Sequence, residues 1–459
     1  MSAVTLGPQA LLHTGYHGAL IEHPPPGIQY DVIDPTVLFD AYLGQRQPFA
    51  PHEHFSVAEA HLYPGRPRFI HSAHYPIANK DVPWIVDTDS LLAHVQFGAV
   101  AVSPRLRRWL ERPGSPPLVA ERTARMLDLF ASPSCGAICF HCRGQLAQNR
   151  SDCLRTLPAS WGGCIDEIFR KATVCYPAQP PRLSRPALRA RNRKSKRGVV
   201  FAARAFLDKG GAVALSAFRT LLSRGDVELC YIGPLPLADQ RKYSDVLGRI
   251  HYAPRVARDL LFEILGQAHI FVCPSRHEAL GITLLEALSF GLAVVTSTGP
   301  GMENVREIIH EGAGGLLVPK PARDADVSAT RLVAAIVSLL DDSATYRAMA
   351  DYNLSLVEDG DFSLEERDKT LRALYSASPP SSGLARISLK VMRAAVNRGG
   401  GRPRRRRITG PRLVRLRRRF IQEHYPPEKS AVVIPACPVD LEQGAPTRSA
   451  SEMIGASVL

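Results

Sequence analysis

The 459-residue chain has little cysteine, only three tryptophans and no long apolar run. Nine cysteines are too few to staple a fold of this length, so free, mostly buried thiols in a reducing compartment are expected. The longest apolar stretches, near 91–102 and 287–298, fall short of the roughly 18–20 residues that a spanning helix needs. Residues 1–21 carry no Lys, Arg, Asp or Glu, and without a basic start they do not read as a signal peptide. The expected location is the cytoplasm or the cytoplasmic face of the membrane. A hydrophobic content of 45% with 22% charged residues excludes a wholly disordered or fibrous chain.

Acidic residues are missing from two segments, and this locates the net charge of +14. Eight basic residues and no acid lie between Arg182 and Arg197, and fourteen with no acid lie between Arg386 and Arg419. The remainder holds 35 basic against 43 acidic residues, so the body is mildly acidic. Neither basic segment is interleaved with aromatics or joined to a recognition motif, so nucleic acid is not an expected partner.

Short apolar runs alternate with helical patterns, the signature of α/β layering. In the first half, strands are expected at 19–22, 68–71, 83–87, 99–102, 137–140 and 172–176. Four prolines and the eight basic residues then mark 177–198 as an exposed linker. In the second half, strands are expected at 199–203, 227–233, 270–273, 292–296 and 316–318. Helices are expected at 211–222, 256–268, 281–290, 302–311, 327–340, 344–357 and 364–376. Such repetition predicts parallel, doubly wound sheets whose ligands bind at the carboxyl ends of the strands. The expected organisation is an amino-terminal domain 1–177, a linker 178–198, a carboxyl-terminal domain 199–360, a closing helix 361–380 and a basic tail 381–459. The tail reads as one amphipathic basic helix followed by low-complexity sequence, suited either to an anionic membrane surface or to plain solvation.

The most informative segment is Val272-Cys-Pro-Ser-Arg-His-Glu278-Ala-Leu-Gly281-Ile-Thr-Leu-Leu-Glu286. A buried strand ends at Cys273, a loop carries Glu278, and a helix opens at Gly281. The unpaired N–H groups of that first turn form an anion site worth about 0.3–1 kcal/mol. Glu286 lies inside an otherwise apolar helix and needs hydrogen-bond donors there, for which sugar hydroxyls are suitable. An ordinary surface charge is the alternative.

Glu278 and Glu286 resemble the E-x7-E motif of retaining family-4 glycosyltransferases (glycosyl transferases group 1), which have the two-Rossmann-domain GT-B fold. Val200-Phe-Ala-Ala-Arg204-Ala-Phe-Leu-Asp-Lys209-Gly210 resembles that family's strand ending in Arg with Lys-Gly following. Thr298-Gly-Pro-Gly-Met-Glu303-Asn-Val-Arg-Glu307-Ile-Ile, with Gly312 to Pro319 beyond, is similar to its Gly-x-x-Glu-x-Ile stretch. The resemblance covers residues 198–376; before 177 it rests on architecture alone.

The resemblance implies a nucleotide-diphospho-sugar donor, transfer with retention, no metal and no further cofactor. Arg204 and Lys209 would meet the donor diphosphate, and Gly281, Ile282 and Thr283 would hold the distal phosphate through their N–H groups. Glu278 would bind the transferred sugar and Glu286 the ribose. The base would sit near Ile232–Gly233 and the loop from Tyr252 to Pro254. The acceptor is open among lipid-linked glycan, polysaccharide and small molecule. His71, with His74 as competitor, and Asp87 are the amino-domain candidates for contacts with sugar and acceptor, with core-edge roles as the alternative. The turn Pro24-Pro-Pro-Gly27 stands where the family has a glycine-rich loop, but it holds a single glycine. Cys139 and Cys142 have metal-ligand spacing, while buried thiols are the competing reading. Two other functions stay open: a different GT-B sugar-nucleotide enzyme of epimerase type, and a non-catalytic polyanion- or membrane-binding protein on a degenerate core.

Overall fold

The computed structural model describes residues 2–7, 12–13, 15–32, 58–59, 68–73, 77–78, 82–92, 127–278, 281–322 and 324–377. The expected strand at 99–102, His74 and the basic tail 381–459 lie outside these described residues.

The amino-terminal half builds a six-stranded parallel sheet from β1 (Ser2–Gly7), β2 (Ile28–Val32), β3 (Ile70–Ala73), β4 (Trp84–Thr88), β5 (Cys135–Phe140) and β6 (Ala172–Val174). The strand order is β2-β1-β3-β4-β5-β6. Its helices include α1 (His17–Glu22), α2 (Arg143–Thr156) and α3 (Gly162–Arg170). The expected strand at 19–22 is therefore helical: a run of three apolar residues carries no period of its own, and Ala19 and Leu20 are buried from a single turn. The strand expected at 68–71 runs two residues later, so His71 sits inside β3 rather than at its end.

After α4 (Arg185–Arg191), the second sheet comprises β7 (Arg197–Ala202), β8 (Val227–Ile232), β9 (His251–Ala253), β10 (Ile270–Cys273), β11 (Ala293–Thr298) and β12 (Gly315–Pro319). All pairs are parallel, in the order β9-β8-β7-β10-β11-β12. This is the Rossmann order, reversing between β7 and β10. The helices are α5 (Gly211–Leu221), α6 (Arg258–Gln267), α7 (Ile282–Ser289), α8 (Glu303–Ile308), α9 (Ala325–Asp341), α10 (Ser343–Glu358) and α11 (Leu364–Ser376), with two short turns at Leu237–Lys242 and Ser244–Leu247. Strands β10 and β11 are buried at every position, as strands covered by helices on both faces must be. The expected α/β architecture of two Rossmann-type domains is the one observed.

The basic linker departs from expectation. Seven of its residues form α4, capped by the Ser184 hydroxyl. Arg191 is buried, donating to the carbonyls of Phe290 and Gly291 at 2.7 and 2.6 Å. Those are carbonyls just past the end of α7, where partial negative charge favours a cation. Arg185 pairs with Asp351 and Glu358, and Arg197 lies over Tyr346. Three of the segment's like charges are thus dispersed onto separate partners. His269 locks the same corner, accepting the Gly198 N–H at Nδ1 and donating from Nε2 to the Arg191 carbonyl. Burial, reinforced by Arg191, pushes its pKa down to about 3, so it stays neutral.

The last helix among the described residues returns to the first domain. Arg367 of α11, buried, donates to the carbonyls of Ala19 and His23 at the end of α1. Tyr375 meets Tyr30 and His71, each at 2.8 Å. No helix among the described residues is long and apolar enough to cross a membrane.

Candidate functional site

Strands β7 and β10 are neighbours in the middle of the second sheet, and the chain leaves them toward opposite edges. The loops at their carboxyl ends therefore flank a crevice, and these loops carry Arg204, Lys209 and Glu278. They are bound to each other: the Arg276 N–H donates to the Asp208 carbonyl at 2.7 Å. Lys209 Nζ lies 2.7 Å from Glu278 Oε2, which also accepts from Ser275 Oγ at 3.2 Å. Glu278 Oε1 accepts the Gly281 N–H at 3.1 Å. The carboxylate is buried but fully partnered, as a buried charge must be. Arg204 is exposed on the loop after β7, which also carries Lys209.

Gly281 has φ +70° and caps α7, so the helix starts at Ile282, one residue later than expected. The left-handed backbone requires glycine there, and a Cβ would also have to displace the end of the Ile308 side chain, 2.8 Å away. Of the three N–H groups expected to hold phosphate, that of Gly281 is engaged by Glu278 in this state. Those of Ile282 and Thr283 belong to the first turn of α7, where helix geometry leaves them without an intrahelical acceptor. Just over one turn on, Glu286 is buried with Oε1 3.1 Å from Arg258 Nη2. Burial raises its carboxyl pKa, opposed by the charges of Arg258, Arg182 and Arg204. Ile232 and Ala253 are paired across β8 and β9, so the two segments expected at the base lie side by side.

The first domain approaches α7 through a loop that the sequence did not single out. Gly15, between β1 and α1, packs so closely that a Cβ would lie 2.3 Å from Ile282 Cγ2 and 3.0 Å from Glu286 Oε1. Gly27, in the expected glycine turn, has no neighbour within 4 Å of such an atom. The useful signal was the alternation of buried Val4 and Leu6, which marks β1 and makes Gly15, not Gly27, part of the first strand-to-helix loop.

His71 and Asp87 come together, though not in an open cleft. Both are fully buried, with His71 Nε2 2.9 Å from Asp87 Oδ1. His17 Nε2 takes Oδ2 at 3.0 Å, and His141 Nε2 stands 3.9 Å from the same oxygen. Burial would raise the Asp87 carboxyl, but His17 and His71 overcome this and hold it well below the usual range. With both oxygens facing imidazoles, Asp87 has no side-chain oxygen turned to an acceptor. His71 and Asp87 thus form a buried network at the carboxyl edge of the first sheet, joined to α11 through Tyr375. His17 and His141 lie far from Asp87 along the chain, and no motif in the sequence marks them.

The domains meet again at Glu307 of α8. Its carboxylate accepts the N–H groups of Arg143 and Gly144 at the start of α2, at 2.9 and 2.5 Å, and the Tyr176 hydroxyl at 2.7 Å. Cys142 caps the same turn by accepting the Gln145 N–H, and burial pushes its thiol up to about 12. Cys135, Cys139, Cys153 and Cys164 are also buried free thiols, and no group of side chains among the described residues has the arrangement to hold a metal ion.

Over residues 196–342 the chain matches the model of the family Glycosyl transferases group 1. A stretch of 203 residues is 30% identical to alpha-maltose-1-phosphate synthase of Mycolicibacterium smegmatis, covering 42% of this chain and 52% of that protein. Another of 137 residues is 31% identical to phosphatidyl-myo-inositol mannosyltransferase of the same organism, covering 29% and 33%. The chain thus spans about half the length, or less, of these curated relatives. Among solved structures, sucrose-phosphate synthase from Thermosynechococcus elongatus is similar at 16% identity, with a TM-score of 0.46 over 67% of this chain and 73% of that one.

Proposed function

We propose that the protein is a GT-B-type glycosyltransferase that moves a sugar from a nucleoside diphospho-sugar to an acceptor hydroxyl with retention of configuration. The observation that carries this reading is the Lys209–Glu278 pair at the reversal point of the second sheet, directly before the start of α7. The names of the two relatives, a synthase of a sugar phosphate and a mannosyltransferase, agree with it.

In this reading the bond between the sugar and the diphosphate breaks while an acceptor hydroxyl attacks from the same face. Arg204, Lys209 and the first turn of α7 meet the charge that grows on the leaving diphosphate. A leaving phosphate oxygen takes the acceptor's proton. Glu278 holds hydroxyls of the transferred sugar and Glu286 those of the ribose, so the protein contributes chiefly positioning and electrostatic stabilisation. These cationic groups and the helix dipole serve where other transferases use a metal. The Asp87 network shapes the acceptor side from beneath rather than touching sugar. The acceptor is a lipid-linked glycan, a polysaccharide or a small molecule, and the basic residues beyond Arg386 add attraction to an anionic membrane surface.

The test is thermal stabilisation by uridine, guanosine, adenosine and thymidine diphospho-glucose, for wild type and Glu286→Ala. A donor at about 100 times its Kd stabilises by about 2.7 kcal/mol, so one nucleotide class should raise the wild-type midpoint and shift the variant far less. An equal shift in both proteins would remove Glu286 from the donor site, and no shift with any of the four would contradict the reading.

A further inference from the structure

The roles above leave Arg258 unused. Arg258 stands at the start of α6 with Nη2 3.1 Å from Glu286 Oε1, and the Glu286 side chain is only 5% exposed. Its guanidinium lies over the ring of Phe262, one turn along the same helix, at 4.7 Å from the centroid. Arg182 also lies over that ring, at 4.1 Å. Arg182 is tied to the helix that carries Glu286, because its backbone N–H donates to the Ser289 carbonyl at 2.8 Å. One aromatic ring thus carries two guanidinium groups beside one buried carboxylate, and cation–π contact limits how far either can move.

We propose that Arg258 is a positioning residue for the donor: it keeps Glu286 ionised and holds its carboxylate oriented toward the ribose diol. This rests on the donor reading above, in which Glu286 meets the ribose. A carboxylate accepts hydrogen bonds from two neighbouring hydroxyls, whereas a protonated carboxyl gives up one oxygen as a donor. Glu286 sits among the apolar residues of α7, where burial favours the neutral acid unless a cation faces it. Arg258 faces it from α6, Arg182 from the segment before α4, and Arg204 from the loop after β7. From the first domain, the loop carrying His13 and Gly15 closes the remaining side. Among the described residues only Arg258 is within ion-pair distance of Glu286, so it supplies direction as well as charge.

The test measures Kd for each of the four nucleoside diphospho-glucoses at pH 8, 7 and 6, with wild type, Arg258→Gln and Arg258→Lys. These donors carry no phosphate that titrates in this range, and His13 and His277 are common to all three proteins, so differences between proteins isolate the pair. Wild-type affinity should be flat between pH 8 and 6. Arg258→Gln should bind about tenfold or more weakly at pH 7 and weaken further toward pH 6. The sign follows from linkage: losing the cation raises the Glu286 pKa, so the anion that binds ribose is depleted from the acidic side first. Arg258→Lys should recover most of the affinity and the flat profile.

A Gln variant that binds like wild type at every pH overturns the proposal. So does one that loses the same factor at every pH with no rescue by Lys, since that is the mark of a merely structural role. Should Arg258→Gln fail to fold, judged by its melting curve, the Lys variant decides: near-wild-type affinity with a flat profile supports the proposal, and a loss equal at all three pH values overturns it. A wild type that binds none of the donors overturns the transferase reading itself, a different result from any variant effect.

Discussion

Replacing Lys209 with alanine should lower kcat/KM for sugar transfer by about 10²–10³-fold while leaving the melting midpoint nearly unchanged. Groups aimed at charge that develops in the transition state are each worth about 3–4 kcal/mol, because they are already oriented when the charge appears. Lys209 is such a group: its ammonium is held at the mouth of the crevice by Glu278 at 2.7 Å, with 30% of its side chain exposed to approach by a ligand. Loss of the ammonium removes little packing, and Glu278 keeps the Ser275 hydroxyl and the Gly281 N–H. The effect should fall mainly on kcat, since the leaving diphosphate gains charge only as the bond breaks. Steady-state kinetics together with a melting curve separate this from unfolding. A loss below tenfold in a folded variant would take Lys209 out of the catalytic machinery.

Gly210→Ala should cost about 2–5 kcal/mol of stability, a large fraction of what a domain possesses. Gly210 has φ +72° at the cap of α5, and a Cβ there would stand 1.9 Å from the Pro274 carbonyl oxygen. The obstacle is backbone, so no side chain can rotate to make room. Relief requires separating the loop after β7 from the loop after β10, which are the loops that bring Lys209 to Glu278. Stability and transfer should therefore fail together in this variant, whereas Lys209→Ala uncouples them. Urea unfolding of the two proteins side by side checks this, and a Gly210→Ala midpoint equal to wild type would show that the two loops are not held in the close contact described here.

The second domain was legible because its physics is local. Strand β10 and helix α11 have the limits expected from sequence, and a covered parallel strand announces itself as an unbroken apolar run. Glu278, Lys209 and Arg204 likewise fall on the loops where sequence placed them. The first domain was harder to read. Strand β1 shows only Val4 and Leu6 in alternation, and β2 has no fully buried residue, so neither stands out. The Asp87 network joins residues 17, 71, 87 and 141, which meet only because β1, β3, β4 and β5 stack in register. Arg191 was expected in solvent because nothing in a run of basic residues reveals the two carbonyls waiting beyond α7. The Arg258–Glu286 pair is hidden for the same reason, as its partners lie on different helices.

The central claim is transfer of the sugar with retention from a nucleoside diphosphate. The most direct measurement follows the slow hydrolysis of the preferred donor by proton NMR, with water standing in for the acceptor and Lys209→Ala as the control. An α-linked donor should release nucleoside diphosphate and, before mutarotation, the α-anomer of the free sugar, at a rate that the control nearly abolishes. The β-anomer as first product would contradict retention, and no nucleoside diphosphate above the rate of the control would contradict the transferase reading as a whole.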